Sequence, residues 1–161
     1  MVEWLLIVLI GIGLLLTLTM GGAQWRQLAS CEAPPRDTLP EVSILKPLKG
    51  VDADLEANLE TFFELDYPAY EVVFGVDAAH DPALAVARRV AERHPEVATR
   101  FAVGGHGVGF NPKVNNLANI LKYARHQVLL ISDSNVAVEP SNLRQMVALL
   151  ENQNVGLVTS F

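Results

Sequence analysis

The sequence predicts an α/β domain, a mostly parallel sheet with helices on both faces. Three observations predict it. From Glu41 onward, short apolar runs alternate strictly with segments of helical spacing, and strands joined through helices run parallel because a parallel return needs a crossover. Half of the 161 residues are apolar against a net charge of −6, which suits about one folded domain and excludes a disordered chain or a nucleic-acid binder by bulk charge. Polar residues gather between strand ends and helix starts, in Pro47–Ala53, Asp77–Asp81, Gly104–Asn111 and Asp133–Glu139. In parallel sheets that edge is where ligands collect.

The first segment is different in kind. Trp4 to Trp25 carries no charge and Leu5 to Leu18 is almost wholly aliphatic. As a helix, about 20 residues rise about 30 Å, the thickness of a bilayer core. Residues 1–25 are therefore expected to be a single transmembrane anchor with Trp4 and Trp25 at its interfaces. A cleaved signal peptide is the rival, but Glu3 and the absence of Lys or Arg before the apolar run give the wrong leading charge. Arg26 and Arg36 follow the helix, so the positive-inside rule puts the remainder in the cytosol. Residues 26–40 hold Pro34, Pro35 and Pro40 and read as a linker. The lone Cys31 excludes an internal disulfide or a multi-cysteine zinc site.

The remainder, 41–161, divides in order. Val42–Leu45 is a strand; Asp52–Leu65 is a helix with Leu55, Leu59, Phe62 and Phe63 inward; Val72–Val76 is a buried strand; Pro82–Arg93 is a helix. Arg100–Val103 is a short strand, and Pro112–Ala124 is a helix carrying Val114, Leu117, Ile120 and Leu121 on one stripe. Val128–Ser132, within the run LLISDSNVAV, reads as the most buried strand, Pro140–Leu150 as a helix, and Val155–Phe161 as the start of another strand. An apolar strand at the chain's end needs a covering layer, so a larger domain cut at its C-terminal side is expected.

Four groups of residues could carry chemistry. Asp77 ends a strand and Asp81 precedes Pro82; Asp before Pro is also an ordinary helix cap, worth about 1 kcal/mol, and both readings stand. The glycine-rich Gly104–Gly109 stretch, with His106, matches neither G-x-G-x-x-G nor the P-loop, because Phe110 stands at the last glycine's place and no Gly-Lys-Ser/Thr follows. Asn111-Pro112 opens a helix whose first turn carries Lys113 and Asn116, a cation and an amide where a helix N-terminus favours an anion; a phosphate or sugar fits, as does a plain polar turn. Asp133-Ser134-Asn135 brings a carboxylate, a hydroxyl and an amide to a strand end. Mg²⁺ takes such oxygen ligands together with substrate phosphates, although Asn135 brings no charge where a second carboxylate would strengthen the case.

Lys46-Pro47-Leu48-Lys49-Gly50-Val51-Asp52, Asn58-Leu59-Glu60-Thr61-Phe62-Phe63-Glu64-Leu65-Asp66-Tyr67-Pro68, Asp81-Pro82-Ala83, Gly109-Phe110-Asn111-Pro112-Lys113-Val114-Asn115-Asn116-Leu117 and Asp133-Ser134 together resemble the ceramide glucosyltransferase family, membrane-bound inverting enzymes of family 21 type with the Rossmann-like GT-A fold. The resemblance runs from about Val42 to Phe161, as the N-terminal portion. Hopanoid-associated glycosyltransferases are close cousins. The resemblance implies transfer of glucose from UDP-glucose to ceramide with inversion, in glycosphingolipid biosynthesis. It assigns Asp81 to the donor and Asp133, with Asn135, to Mg²⁺ or Mn²⁺ and the diphosphate. More weakly it adds Lys46, Asp77 and Lys113 to the donor pocket, which Asn116 joins from its place in the first turn beside Lys113. It implies a UDP-sugar, a ceramide-like lipid and a membrane as partners, with 41–161 as the nucleotide-sugar-binding part. The family's catalytic base and its Q-x-x-R-W motif fall beyond Phe161, so these residues alone are not expected to catalyse transfer. Two alternatives stay open: a hopanoid or other lipid acceptor with UDP-N-acetylglucosamine, and a membrane-anchored nucleotide-sugar-binding module without turnover.

Overall fold

The structure, a computed structural model, describes residues 10–20, 39–105, 107–150 and 155–160. Residues 10–20 form helix α1, whose Ile10, Ile12, Leu14, Leu15, Leu16, Leu18 and Met20 are all exposed. Among the described residues no helix is long and apolar enough to cross a membrane. The other residues expected in the anchor, 1–9 and 21–25, lie outside the described residues, as do 26–38 of the linker with Arg26, Cys31 and Arg36.

The domain proper runs β1 (Val42–Pro47), α2 (Leu55–Glu60), β2 (Tyr70–Val76), α3 (Pro82–Arg93), β3 (Ala98–Val103), α4 (Pro112–Leu121), β4 (Val128–Ile131) and α5 (Asn142–Leu150). All pairings are parallel and the strand order is β3-β2-β1-β4. Succession therefore moves outward from β1 to β3, and α4 then carries the chain back past β1 to β4. The order reverses between β1 and β4, and that is the topological switch point at which such sheets hold ligands.

Alternation sets the faces. Val42 and Ile44 of β1, with Val72, Phe74 and Val76 of β2, pack against Leu55, Leu59, Ala87, Val90, Leu143 and Val147 of α2, α3 and α5. Leu45, Val73 and Ala102 point the other way, onto Ile120 of α4. That second layer is close because β2 carries Gly75: a Cβ there would collide with the side chains of Asn116 and Ile120. Across the outer seam, Arg93 pairs with Glu56 at 3.0 Å and Glu60 at 2.7 Å, and His94, stacked on Phe63, holds Glu60 through Nε2 at 2.7 Å.

Helix α2 is shorter than the expected Asp52–Leu65. After Glu60 the bonds tighten to three-residue spacing, Phe62 N to Leu59 O and Phe63 N to Glu60 O, and Thr61 Oγ1 donates to Asn58 O. The tighter winding turns both Phe62 and Phe63 into the core. Strands β1 and β2 run longer than their apolar cores. Lys46 and Glu71 are polar residues inside them, and each is buried with partners. Glu71 meets Arg100 Nε at 2.9 Å, Ser43 Oγ at 2.7 Å and Arg125 N at 2.7 Å, tying β1, β2 and β3 together at their amino ends.

Two expectations are corrected. Val128–Ser132 is not the most buried strand: β4 is an edge strand, with Leu129 40% and Ile131 57% exposed. Among the described residues its order in the sheet leaves it one neighbour, and α4 packs on β1, β2 and β3 rather than on its face. Residues 155–160 are irregular rather than a strand, with Leu157 exposed, and among the described residues they make no ladder with β4; Phe161, the last residue of the expected strand, lies outside the described residues.

Candidate functional site

At the carboxyl ends of β1, β2 and β4 lies a cleft of about 330 Å³ lined by the exit loops of all three strands and the start of α4. Its polar lining consists of Lys49 and Asp52 after β1, Asp77 after β2, Lys113 in the first turn of α4, and Asp133, Ser134 and Asn135 after β4. The structure therefore brings Asp77, Lys113, Asp133 and Asn135 together in one cleft. Lys113 Nζ and Asp133 Oδ1 are 2.6 Å apart, with both side chains about half exposed. An ion pair open to water contributes little to stability, so each group remains exchangeable for a ligand of the same charge.

Local rules place these groups. Asn111 caps α4, its Oδ1 accepting from Lys113 N at 2.9 Å and Val114 N at 3.4 Å, with Pro112 in the first turn. That fixes the direction in which Lys113 leaves the helix. Asn115 fixes the loop before it: its Oδ1 accepts from Val108 N and Gly109 N and its Nδ2 donates to Gly109 O. Asp133 follows the last bond of the β1–β4 pairing, from Ser132 N to Leu45 O.

Three expected site residues stand behind the cleft wall. Asp81 caps α3, Oδ1 accepting from Ala83 N at 2.9 Å, and the same carboxylate accepts from Gly50 N at 3.0 Å. Gly50 has φ +66°, a backbone state open to glycine, and this aims its N–H at Asp81. Asp81 thus holds the loop that presents Lys49. Asn116 is buried, and its Nδ2 donates to Gly75 O at 2.9 Å and Leu48 O at 3.4 Å, pinning α4 to the ends of β2 and β1. Lys46 is fully buried. Its Nζ donates to Asp133 O at 2.8 Å and Ser132 Oγ at 3.3 Å and lies 3.4 Å from the Phe62 ring centroid. Burial pushes its amine down to about 7, against the opposing pull of the Asp133 charge.

Lys49 and Asp52 were missed as site residues, although both lie in a strand-to-helix loop already marked by position. The signal was their charge within Pro47–Ala53.

Beside the two lysines, the cleft offers carboxylate, hydroxyl and amide oxygens, the set that hard divalent cations take. Among the described residues no three His, Cys, Asp or Glu side chains gather to hold a metal by themselves. The fit is to an ion taking one carboxylate, Asp133, with phosphate oxygens and water completing its shell. A larger cavity, about 800 Å³, runs beside the outer edge of β4 between α5 and residues 155–160. Apart from Ser132 and Asp133 at one end, its strand and helix walls are mostly apolar, Leu130, Leu143 and Val147 among them, so size alone does not mark the polar site.

The model of glycosyl transferase family 21 matches residues 4–161. Ceramide glucosyltransferase 1 of Caenorhabditis elegans is 36% identical over 126 residues, covering 78% of this chain and 27% of that protein. The ceramide glucosyltransferase of Komagataella phaffii is 37% identical over 113 residues, covering 68% and 22%. The chain thus spans about a quarter of the length of these relatives. Among solved structures, the mannosyltransferase PcManGT of Pyrobaculum calidifontis, in complex with GDP-Man and Mn²⁺, superposes with a TM-score of 0.65 at 26% identity over 91% of this chain and 45% of that one.

Proposed function

Since the chain belongs to glycosyl transferase family 21, we propose that its cleft binds the nucleotide-sugar donor of a membrane-bound hexosyltransferase that moves glucose from UDP-glucose to ceramide with inversion. The observation that carries the reading is the meeting of Asp133, Lys113 and Asp77 in one cleft at the switch point of the sheet. A diphosphate offers negative oxygens to Lys113 and Lys49. Asp133, with the Asn135 carbonyl, would hold Mg²⁺ or Mn²⁺, which when bound supplies positive charge against the departing diphosphate. The similar mannosyltransferase was solved with a sugar nucleotide and Mn²⁺, which supports the metal. Similarity to ceramide glucosyltransferases supports the donor and acceptor.

The same reading puts the protein at a membrane through residues 1–25, with the domain facing the cytosol, where sugar nucleotides are made. The exposed apolar side chains of α1 support this placement. Residues 41–161 bind the donor in this proposal; the group that takes the acceptor's proton is not among the residues assigned.

Calorimetry with UDP and Mn²⁺ on the wild type and Asp133→Ala tests the site. Loss of about tenfold or more in metal-dependent affinity is expected, the cost of removing a metal ligand being at least that of its supporting partners. Equal affinity with the fold intact refutes the role. The reaction is tested in a chain of the relatives' length, with UDP-glucose and UDP-N-acetylglucosamine against ceramide and hopanoid acceptors. Glucosylceramide is expected; an N-acetylhexosaminyl hopanoid, or no product, overturns the assigned substrates.

A further inference from the structure

Strand β1 reads VSILKP, and its alternation puts Lys46 on the face of Val42 and Ile44, beside Phe74 of β2 in the same register. The position is one the core would fill with an apolar side chain. Lys46 has no exposed surface at all, so no donor in the cleft touches it without the wall opening. Its nitrogen nevertheless has partners on three sides, Asp133 O, Ser132 Oγ and the face of Phe62.

Stability does not explain it. Replacing a buried charge and its partners by apolar groups of similar volume is often neutral or stabilising. What the amine does accomplish is local. The β1–β4 pairing ends with Ser132 N donating to Leu45 O, and among the described residues β4 has no neighbour on its outer side. Lys46 adds bonds from β1 to the next acceptors along, at the residue whose side chain enters the cleft.

We propose that Lys46 is a positioning residue, whose buried amine grips the backbone carbonyl of Asp133 from behind and fixes the direction in which the Asp133 carboxylate meets a diphosphate and its metal. The functional part rests on the donor-site reading above; the grip itself does not. Asp133 then lies between two lysines with separate tasks: Lys46 on its main chain inside the wall, Lys113 on its carboxylate in the open.

The test is Lys46→Met in the 161-residue chain. Thermal unfolding is expected at the wild-type temperature or above. Amide exchange at Ser132 and Val136, whose N–H groups bond Leu45 O and Asp133 O, speeds up as local opening becomes easier, while Ile44 and Val72 keep their wild-type exchange. Affinity for UDP with Mn²⁺ falls about tenfold, and this fall disappears when Asp133→Ala is already present. Wild-type exchange at Ser132 and Val136 overturns the proposal, and so does an equal fall in the Asp133→Ala background, which would make Lys46 a separate donor contact. If the wild type binds no UDP, the donor reading fails while the exchange result still decides the grip. Should Lys46→Met not fold, Ser132→Ala removes one of the two acceptors, and faster exchange at Val136 is required of it; an unchanged rate overturns the proposal.

Discussion

Strands β1 and β4 are bonded neighbours, Val42 to Val128 through Leu45 to Ile131, yet their surroundings are opposite. Five of the six residues of β1 are buried, two of them polar. In β4, four apolar residues alternate between partly covered and exposed. Hydropathy ranks the two the wrong way round. Sheet order decides instead: among the described residues β1 has a strand on each side and helices on both faces, whereas β4 has a strand on one side only. The difference has a use. The well-packed strand can carry the awkward group, buried Lys46, and lend it to the open strand's end, where the Asp133 side chain stands about half exposed.

The comparison breaks most visibly at Ile44. It is fully buried, within the main core, and Ile44→Ala is expected to cost about 2–5 kcal/mol through lost transfer energy and a residual cavity. Urea unfolding followed by circular dichroism measures it. A cost under 1 kcal/mol would mean that β1 is not the rigid member of the pair.

Asp81 sharpens the same contrast at the β1 exit. Its carboxylate both caps α3 and holds Gly50 N, so Asp81→Ala is expected to cost about 1 kcal/mol, within the 0.5–2 kcal/mol of a lost cap. Asparagine is also a good cap and keeps an acceptor oxygen. Asp81→Asn therefore separates holding from donor contact: stability stays near wild type, and metal-dependent UDP affinity falls only if the charge itself faces the donor. Unfolding curves and calorimetry on both variants read the two effects.

Much of this was legible in the sequence. Period and punctuation placed all eight strands and helices of the sheet domain, and α3 matched from Pro82 to Arg93 because Asp81-Pro82 gives an unambiguous start. Four of the seven expected ligand contacts line the cleft, since strand-to-helix loops in a parallel sheet converge on one edge. Lys46 and Glu71 were harder to place, because a charged residue reads as a strand boundary unless its buried partners are known. Those partners, Asp133 O for Lys46 and Arg100 for Glu71, are distant in the chain, and spacing carries no trace of them. Nor does it distinguish Asn116, which bonds two strand ends, from Lys113 three residues before it, which faces the cleft. The burial of β4 was misjudged for the same reason: strand order is a property of the crossovers, and α4 could have returned the chain to either edge of the sheet.

The smallest expected effect lies on β4 itself. Ile131 has the same register as the buried Leu45 but is 57% exposed, so it has little apolar area left to lose. Ile131→Thr keeps a β-branched side chain, and with it the strand preference, and exchanges exposed methyl surface for a hydroxyl that water can satisfy. Stability is expected to stay within about 0.5 kcal/mol of wild type, as for ordinary surface changes, and to be independent of protein concentration. Solubility should improve, because an open edge with an apolar face is prone to pair with another chain. A cost above 1 kcal/mol in urea unfolding would contradict this, since an exposed isoleucine has no such energy to give up; it would mean that β4 is covered in solution. The contrast between the two strands would then arise from what covers β4 rather than from strand order.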